Sequence, residues 1–222
     1  MSRANTAPAT TLIHTKFSPP RLTRVPVHRI QAMQQLGAGL ERAFTLIKAP
    51  AGFGKTTLLT SWRESLLAEG RRVAWLTLDQ DDNDDIRFVE YLAGTLAKTL
   101  ADSAPEFGQL SKLVSARVQL TSIINLLDHF GEDLTLILDD YDKITAPEVH
   151  HLLGFVLKHI PPNLHIVAAC RADPPLELAC LRARPAGGSA HRHDALPLRR
   201  HPGLLRRHHA GQTVERRSAR HP

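Results

Sequence analysis

With 222 residues and 42% hydrophobic content, the chain can bury one good core and a small appendage, the ordinary composition of a soluble globular protein. No apolar run approaches the length of a membrane span and the first 17 residues lack the apolar stretch of a secretory signal, which predicts a cytoplasmic protein without a membrane partner. The net charge of +6 points to nucleic acid only until its distribution is read: residues 182–222 hold ten arginines, no lysine and two acids, leaving 18 basic against 20 acidic residues in 1–181.

Residues 1–26 have no period and carry Pro8, Pro19, Pro20 and Pro26, so they read as an extended arm or a disordered lead-in. Val27 to Leu36 has helical spacing and is expected to end at Gly37 and Gly39. Ala43 to Ile47 reads as a buried strand, and Leu58, Leu59, Trp62 and Leu66 as one face of a helix ending near Gly70. A second strand spans Val73 to Leu78, followed by the acidic stretch Asp79 to Asp85, which reads most simply as a solvated turn, its position at a strand end leaving a site role open. Ile86 to Leu100 is an amphipathic helix, Phe107 to Val118 a looser helical stretch, and Leu120 to Phe130 a helix stopped by Gly131. The third strand is Leu134 to Leu138. Thr145 and Glu148 carry a capping-box signal for a helix that Pro161 and Pro162 terminate, and Leu164 to Ala169 is the fourth strand. Alternating strands and helices predict a three-layer α/β domain on a parallel sheet, spanning 27–184. From Pro185 the sequence has no aromatic residue, no isoleucine and neither period, so 185–222 reads as a disordered Arg/His/Pro-rich tail.

The chemistry centres on Ala49-Pro50-Ala51-Gly52-Phe53-Gly54-Lys55-Thr56-Thr57, between the first strand and its helix. A loop that wraps phosphates needs positions without side chains, supplied by Gly52 and Gly54, and backbone N–H groups at a helix start facing the anion. Lys55 adds a point charge for the β/γ-phosphates and Thr56 a hydroxyl for Mg²⁺. Ala49 stands where the full pattern has glycine, and the tight turn tolerates a small residue there. Residues 51–57 are therefore the expected nucleotide-binding set. Asp139 and Asp140 leave the third strand as an acidic pair, Asp139 suited to Mg²⁺ and Asp140 to orienting or deprotonating a water. Arg171, just past the fourth strand, is suited to reading a γ-phosphate. Cys170 and Cys180 have no metal-ligand companions and read as reduced thiols.

Thr15-Lys16-Phe17-Ser18-Pro19-Pro20, Val27-His28-Arg29, Ala49 to Thr57, Leu78 to Asp84, Leu138-Asp139-Asp140-Tyr141 and Arg171 to Leu176 together resemble the N-terminal ATPase domain of MalT-like regulators. These are LuxR-type, ATP-dependent transcriptional activators. The resemblance covers about residues 11–184. It implies a P-loop NTPase fold and a switch in which ADP holds a closed monomer while ATP with an inducer drives self-oligomerisation. It also implies slow Mg²⁺-dependent hydrolysis, with Lys55, Thr56, Asp139 and Arg171 at phosphate, magnesium and sensor positions and the arm around Pro20 and Arg29 near the adenine. Such regulators continue into a fifth strand, a winged helix, a helical sensor domain and a DNA-binding helix-turn-helix. The change at Pro185 to lysine-free sequence therefore reads as an out-of-frame tail on a truncated regulator, with the first strand left as an unpaired edge and low solubility expected. The alternatives are a non-functional gene fragment, a small P-loop phosphotransferase, and a nucleic-acid binder acting through the basic tail.

Overall fold

Residue parity organises the sheet of this chain. A computed structural model describes residues 12–22, 30–112, 115–176 and 193–197. Its strands are β1 (Phe44–Lys48), β2 (Arg72–Thr77), β3 (Leu134–Asp139), β4 (Leu164–Cys170) and β5 (His193–Pro197), all parallel in the order β2-β3-β4-β1-β5. The α-helices are α1 (Ile30–Gly39), α2 (Lys55–Ala68), α3 (Asp85–Thr99), α4 (Ala116–Phe130) and α5 (Pro147–Lys158). Successive strand side chains point to opposite faces. Even-numbered Phe44, Leu46, Leu76, Leu136, Leu138 and Ile166 pack with α3, α4 and α5, while odd-numbered Ile47, Val73, Trp75, Ile137 and Val167 pack with α1 and α2. Both faces are thus dry, which is why β1 to β4 are near-continuous apolar runs. No helix among the described residues is long and apolar enough to cross a membrane.

The three-layer P-loop architecture is the one expected, and four details differ. β5 pairs with β1 along its length, Phe44 opposite His193 through Lys48 opposite Pro197, where no fifth strand was expected. The edge of β1 is therefore covered, and the stretch 193–197 is not structureless. Pro197 sits at the end of an outer strand, where a missing N–H breaks no central ladder. The helix expected to stop at Gly37 runs through Gly39. The stretch 107–118 divides into a 3₁₀ turn, Pro105–Lys112, and the first residues of α4. The capping box at Thr145 is absent: α5 starts with Pro147, and Asn83 Oδ1 instead accepts the N–H groups of Thr145 and Ala146, each at 2.7 Å.

The arm lies beside β2, the other edge strand, through a 3₁₀ turn at His14–Phe17. Phe17 is buried against Tyr91, with ring centroids 5.8 Å apart. A side chain on Gly94 would meet the Leu12 Cδ1 at 2.6 Å and the Phe17 ring at 3.0 Å, so glycine there lets the arm lie close against α3. Lys16 is 7% exposed and reaches Asp82 at 2.5 Å and Asp79 at 3.0 Å, above the Tyr91 ring at 4.2 Å. The acidic stretch read as solvated is thus partly interior: Asp82 is 0% exposed. Burial pushes the Asp82 carboxyl above its ordinary range against the pull of Lys16. At Asp79 burial also acts upward, but Lys16 and the Asp81 N–H outweigh it and the pKa falls.

Removing one member of a buried ion pair strands the other. Lys16→Ala is expected to destabilise the chain by about 3 kcal/mol in urea unfolding, and Lys16→Met/Asp82→Leu to recover most of that loss.

Candidate functional site

The phosphate loop forms where β1 runs out of partners. Ala49 N donates to Cys170 O at 3.2 Å, extending the ladder by one bond, and the chain then turns through Gly52 (φ 77°) and Gly54 (φ 74°). Both glycines take the left-handed backbone that side chains disfavour. Gly54 is the N-cap of α2, and no side chain caps that helix start, so its first-turn N–H groups are left to an external acceptor. Ala51 and Gly52 are exposed, Phe53 leans on the α1/α2 core, and Thr57 is half-buried. Lys55, 7% exposed, turns back into the loop and donates to Ala49 O at 2.8 Å and Pro50 O at 3.4 Å.

Strand order decides what meets this loop. β4 separates β1 from β3, yet Thr56 spans it and donates to Asp139 Oδ2 at 2.8 Å, with Oδ1 at 3.2 Å. Asp139 is 1% exposed, and burial pushes its carboxyl up to about 6, with Thr56 and Lys55 opposing and Asp140 adding to the rise. Asp140 follows with φ 56°, the one non-glycine residue with positive φ among those described. Strained backbone of this kind concentrates at functional sites. Arg171 begins the segment after β4, with its Nε 3.1 Å from Asp142 Oδ2.

Among the described residues no three His, Cys, Asp or Glu side chains converge on a point that would hold a metal. The hydroxyl of Thr56 beside the carboxylate of Asp139 is nevertheless a hard-oxygen pair that fits Mg²⁺, which keeps waters and takes phosphate oxygens for its remaining positions. The uncapped helix start, two positive-φ glycines and the inturned Lys55 fit a phosphate chain in the same way.

Of the sequence-predicted set, residues 51–57 and Asp139, Asp140 and Arg171 all lie at the carboxyl edge of the sheet; Arg29 lies outside the described residues. The arm, expected near the adenine around Pro20, forms one wall of the cleft, a space of about 740 Å³ bordered by His14, Lys16, Pro20, Thr56, Thr77 and Asp139. Sequence reasoning missed how the site is braced. The partner of Arg171, Asp142, was also missed, although a third acid closely following a strand-end pair was a visible signal.

No family model matches the chain. Over 142 residues it is 37% identical to the HTH-type transcriptional regulator MalT of Vibrio parahaemolyticus, a match covering 63% of this chain and 15% of that protein. Over 171 residues it is 32% identical to the serine/threonine-protein kinase PknK of Mycobacterium tuberculosis, covering 76% of this chain and 15% of that one. The chain therefore spans about 15% of the length of these two curated relatives. Among solved structures, the Aeropyrum pernix ORC1 protein in complex with DNA superposes with a TM-score of 0.51 at 15% identity, over 82% of this chain and 47% of that one. At that identity the likeness is one of fold.

The raised pKa of Asp139 has a definite sign in stability. Its folded value of about 6 lies above the unfolded one, so the ionised carboxylate is a burden that grows as pH rises from about 4 to about 6. His165, which burial pushes down to about 4, has the opposite slope, so the comparison must be made between wild type and Asp139→Asn. Without nucleotide or magnesium, the variant is expected to be more stable at pH 7.5 by up to about 3 kcal/mol, with the gap closing by pH 4. Urea unfolding at the two pH values measures it, and a pH-independent gap would contradict the assignment.

Proposed function

From the kinship of this chain with the MalT-type regulators, we propose that it is the ATP/ADP-binding switch module of a cytoplasmic LuxR-type transcriptional regulator, with slow Mg²⁺-dependent ATP hydrolysis. The observation that carries this reading is the Thr56–Asp139 hydrogen bond across β4, beside a glycine loop whose lysine is turned inward. In this reading Thr56 and Asp139, 83 residues apart in sequence, are the two halves of a nucleotide site at one sheet edge.

In this reading the N–H groups at the start of α2 bind the phosphate chain, and Lys55 exchanges its bonds to Ala49 and Pro50 carbonyls for phosphate oxygens. Thr56 and Asp139 hold magnesium, which neutralises charge on the phosphates when bound. Asp140, at the mouth of the site, orients a water and accepts its proton. Arg171 binds the terminal phosphate and stabilises charge developing there. Sensing an inducer, self-oligomerisation and DNA binding belong, in this proposal, to other parts of such regulators.

Thermal-shift titration with ATP and ADP, with and without Mg²⁺, tests the reading. Wild type is expected to be stabilised by both nucleotides, and Lys55→Ala by neither. Asp140→Asn should keep the ATP-dependent shift while phosphate release falls by about 10²-fold, the loss expected of a missing general base. A wild-type protein that melts cooperatively at one temperature with or without nucleotide would refute the proposal.

A further inference from the structure

Two ion pairs stand at the ends of β1 and β4. Lys48 and Asp173 are 2.5 Å apart, and both are well exposed. The pair between Arg171 Nε and Asp142 Oδ2, at 3.1 Å, is built differently: the Asp142 side chain is 17% exposed and that of Arg171 48%.

The acid is the fixed partner. Asp142 sits within the 3₁₀ turn Tyr141–Lys143, and both flanking residues are tied down. Tyr141 is buried and hydrogen-bonded to His150 Nδ1 at 2.9 Å, and Lys143 O accepts from Asn83 Nδ2 at 3.0 Å. Among the described residues the second carboxylate oxygen, Asp142 Oδ1, is buried without a hydrogen-bond partner, and Arg171 is the cation paired with this acid. Arg171, by contrast, follows the last residue of β4 and keeps half of its long side chain in solvent. One guanidinium edge serves one oxyanion at a time, either carboxylate or phosphate.

We propose that Asp142 is a positioning residue that sets nucleotide specificity by holding Arg171 in competition with a terminal phosphate. A triphosphate must take Arg171 from Asp142, whereas a diphosphate leaves the pair intact. The inference rests on the proposed function for its ligand. Its consequence is that Asp142 lowers the preference for ATP over ADP by the strength of the pair, because a ligand shifts an equilibrium only by its differential interaction with the two arrangements. Breaking the pair strands a carboxylate that is mostly out of water, which opposes the exchange.

Calorimetric titration of ATP and of ADP with Mg²⁺ into wild type, Asp142→Asn, Arg171→Ala and the double variant decides the matter. Asp142→Asn is expected to raise ATP affinity by about two- to fivefold, the range of a half-exposed ion pair, and to leave ADP affinity unchanged. Arg171→Ala should lower ATP affinity toward that for ADP, and adding Asp142→Asn to it should change nothing further. Asp142→Glu should return the ratio toward wild type. If Asp142→Asn fails to melt cooperatively, Asp142→Ser carries the same expectation. An unchanged ATP-to-ADP ratio, an equal change for both nucleotides, or an effect that persists without Arg171 would overturn this inference while leaving nucleotide binding in place. A wild-type protein that binds neither nucleotide would overturn the proposed function, and this inference with it.

Discussion

A parallel sheet buried on both faces makes an unpartnered charge in a strand interior costly, and the placement of the charged groups follows from that constraint. In β1 to β4 the even-numbered side chains face one helical layer and the odd-numbered ones the other. The charged side chains of these strands, Lys48, Arg72 and Asp139, stand at strand ends, and the others lie in the turns beyond. Because the strands are parallel, their carboxyl ends share one edge, where the loop after β1, the acids after β3 and the arginine after β4 come together. Concentrating these groups there is a consequence of packing before it is a feature of chemistry.

The edge keeps two of its charges, those of Asp139 and Lys55, out of water. Asp139 is buried deeply enough to lift its pKa to about 6, and Asp140 adopts a backbone conformation that side chains disfavour. Lys55 is satisfied by carbonyls of its own loop. Each group is held by internal contacts suited to exchange for phosphate or metal oxygens. An arrangement of this kind is stabilised by ligand and is less than optimal without it, the usual relation between a functional site and the fold that carries it.

The acidic stretch after β2 joins three parts of the molecule. Asp79 and Asp82 hold the arm through Lys16, and Asn83 receives the backbone at the start of α5 and donates to Lys143 O. The same few residues therefore set one wall of the cleft and brace the turn that carries Asp142. The hydroxyl and carboxylate proposed for magnesium, the arm and the Arg171–Asp142 pair are consequently connected by short paths of packed and hydrogen-bonded groups. At Gly94 the absence of a side chain on α3 leaves room for Leu12 and Phe17 of the arm.

Local sequence determined the elements that use local rules. Four apolar runs became β1 to β4, helical spacing became α2 to α5, and glycines placed around a lysine and a threonine became the positive-φ turn that starts α2, because each obeys a short period or a turn preference. What tertiary structure decided were the pairings between distant residues. Lys16 carries no sign in sequence that it will meet Asp82, Thr145 none that its N–H will bind Asn83, and Asp142 only its place after an acidic pair. His193–Pro197 lacks an apolar alternation strong enough to read as a strand, yet β1 offers it a row of free N–H and C=O groups, and backbone hydrogen bonding is indifferent to side-chain composition. Side-chain periodicity is written along the chain, whereas the partner of a buried charge or an open strand edge is set by whatever the folded chain brings within a few ångströms of it.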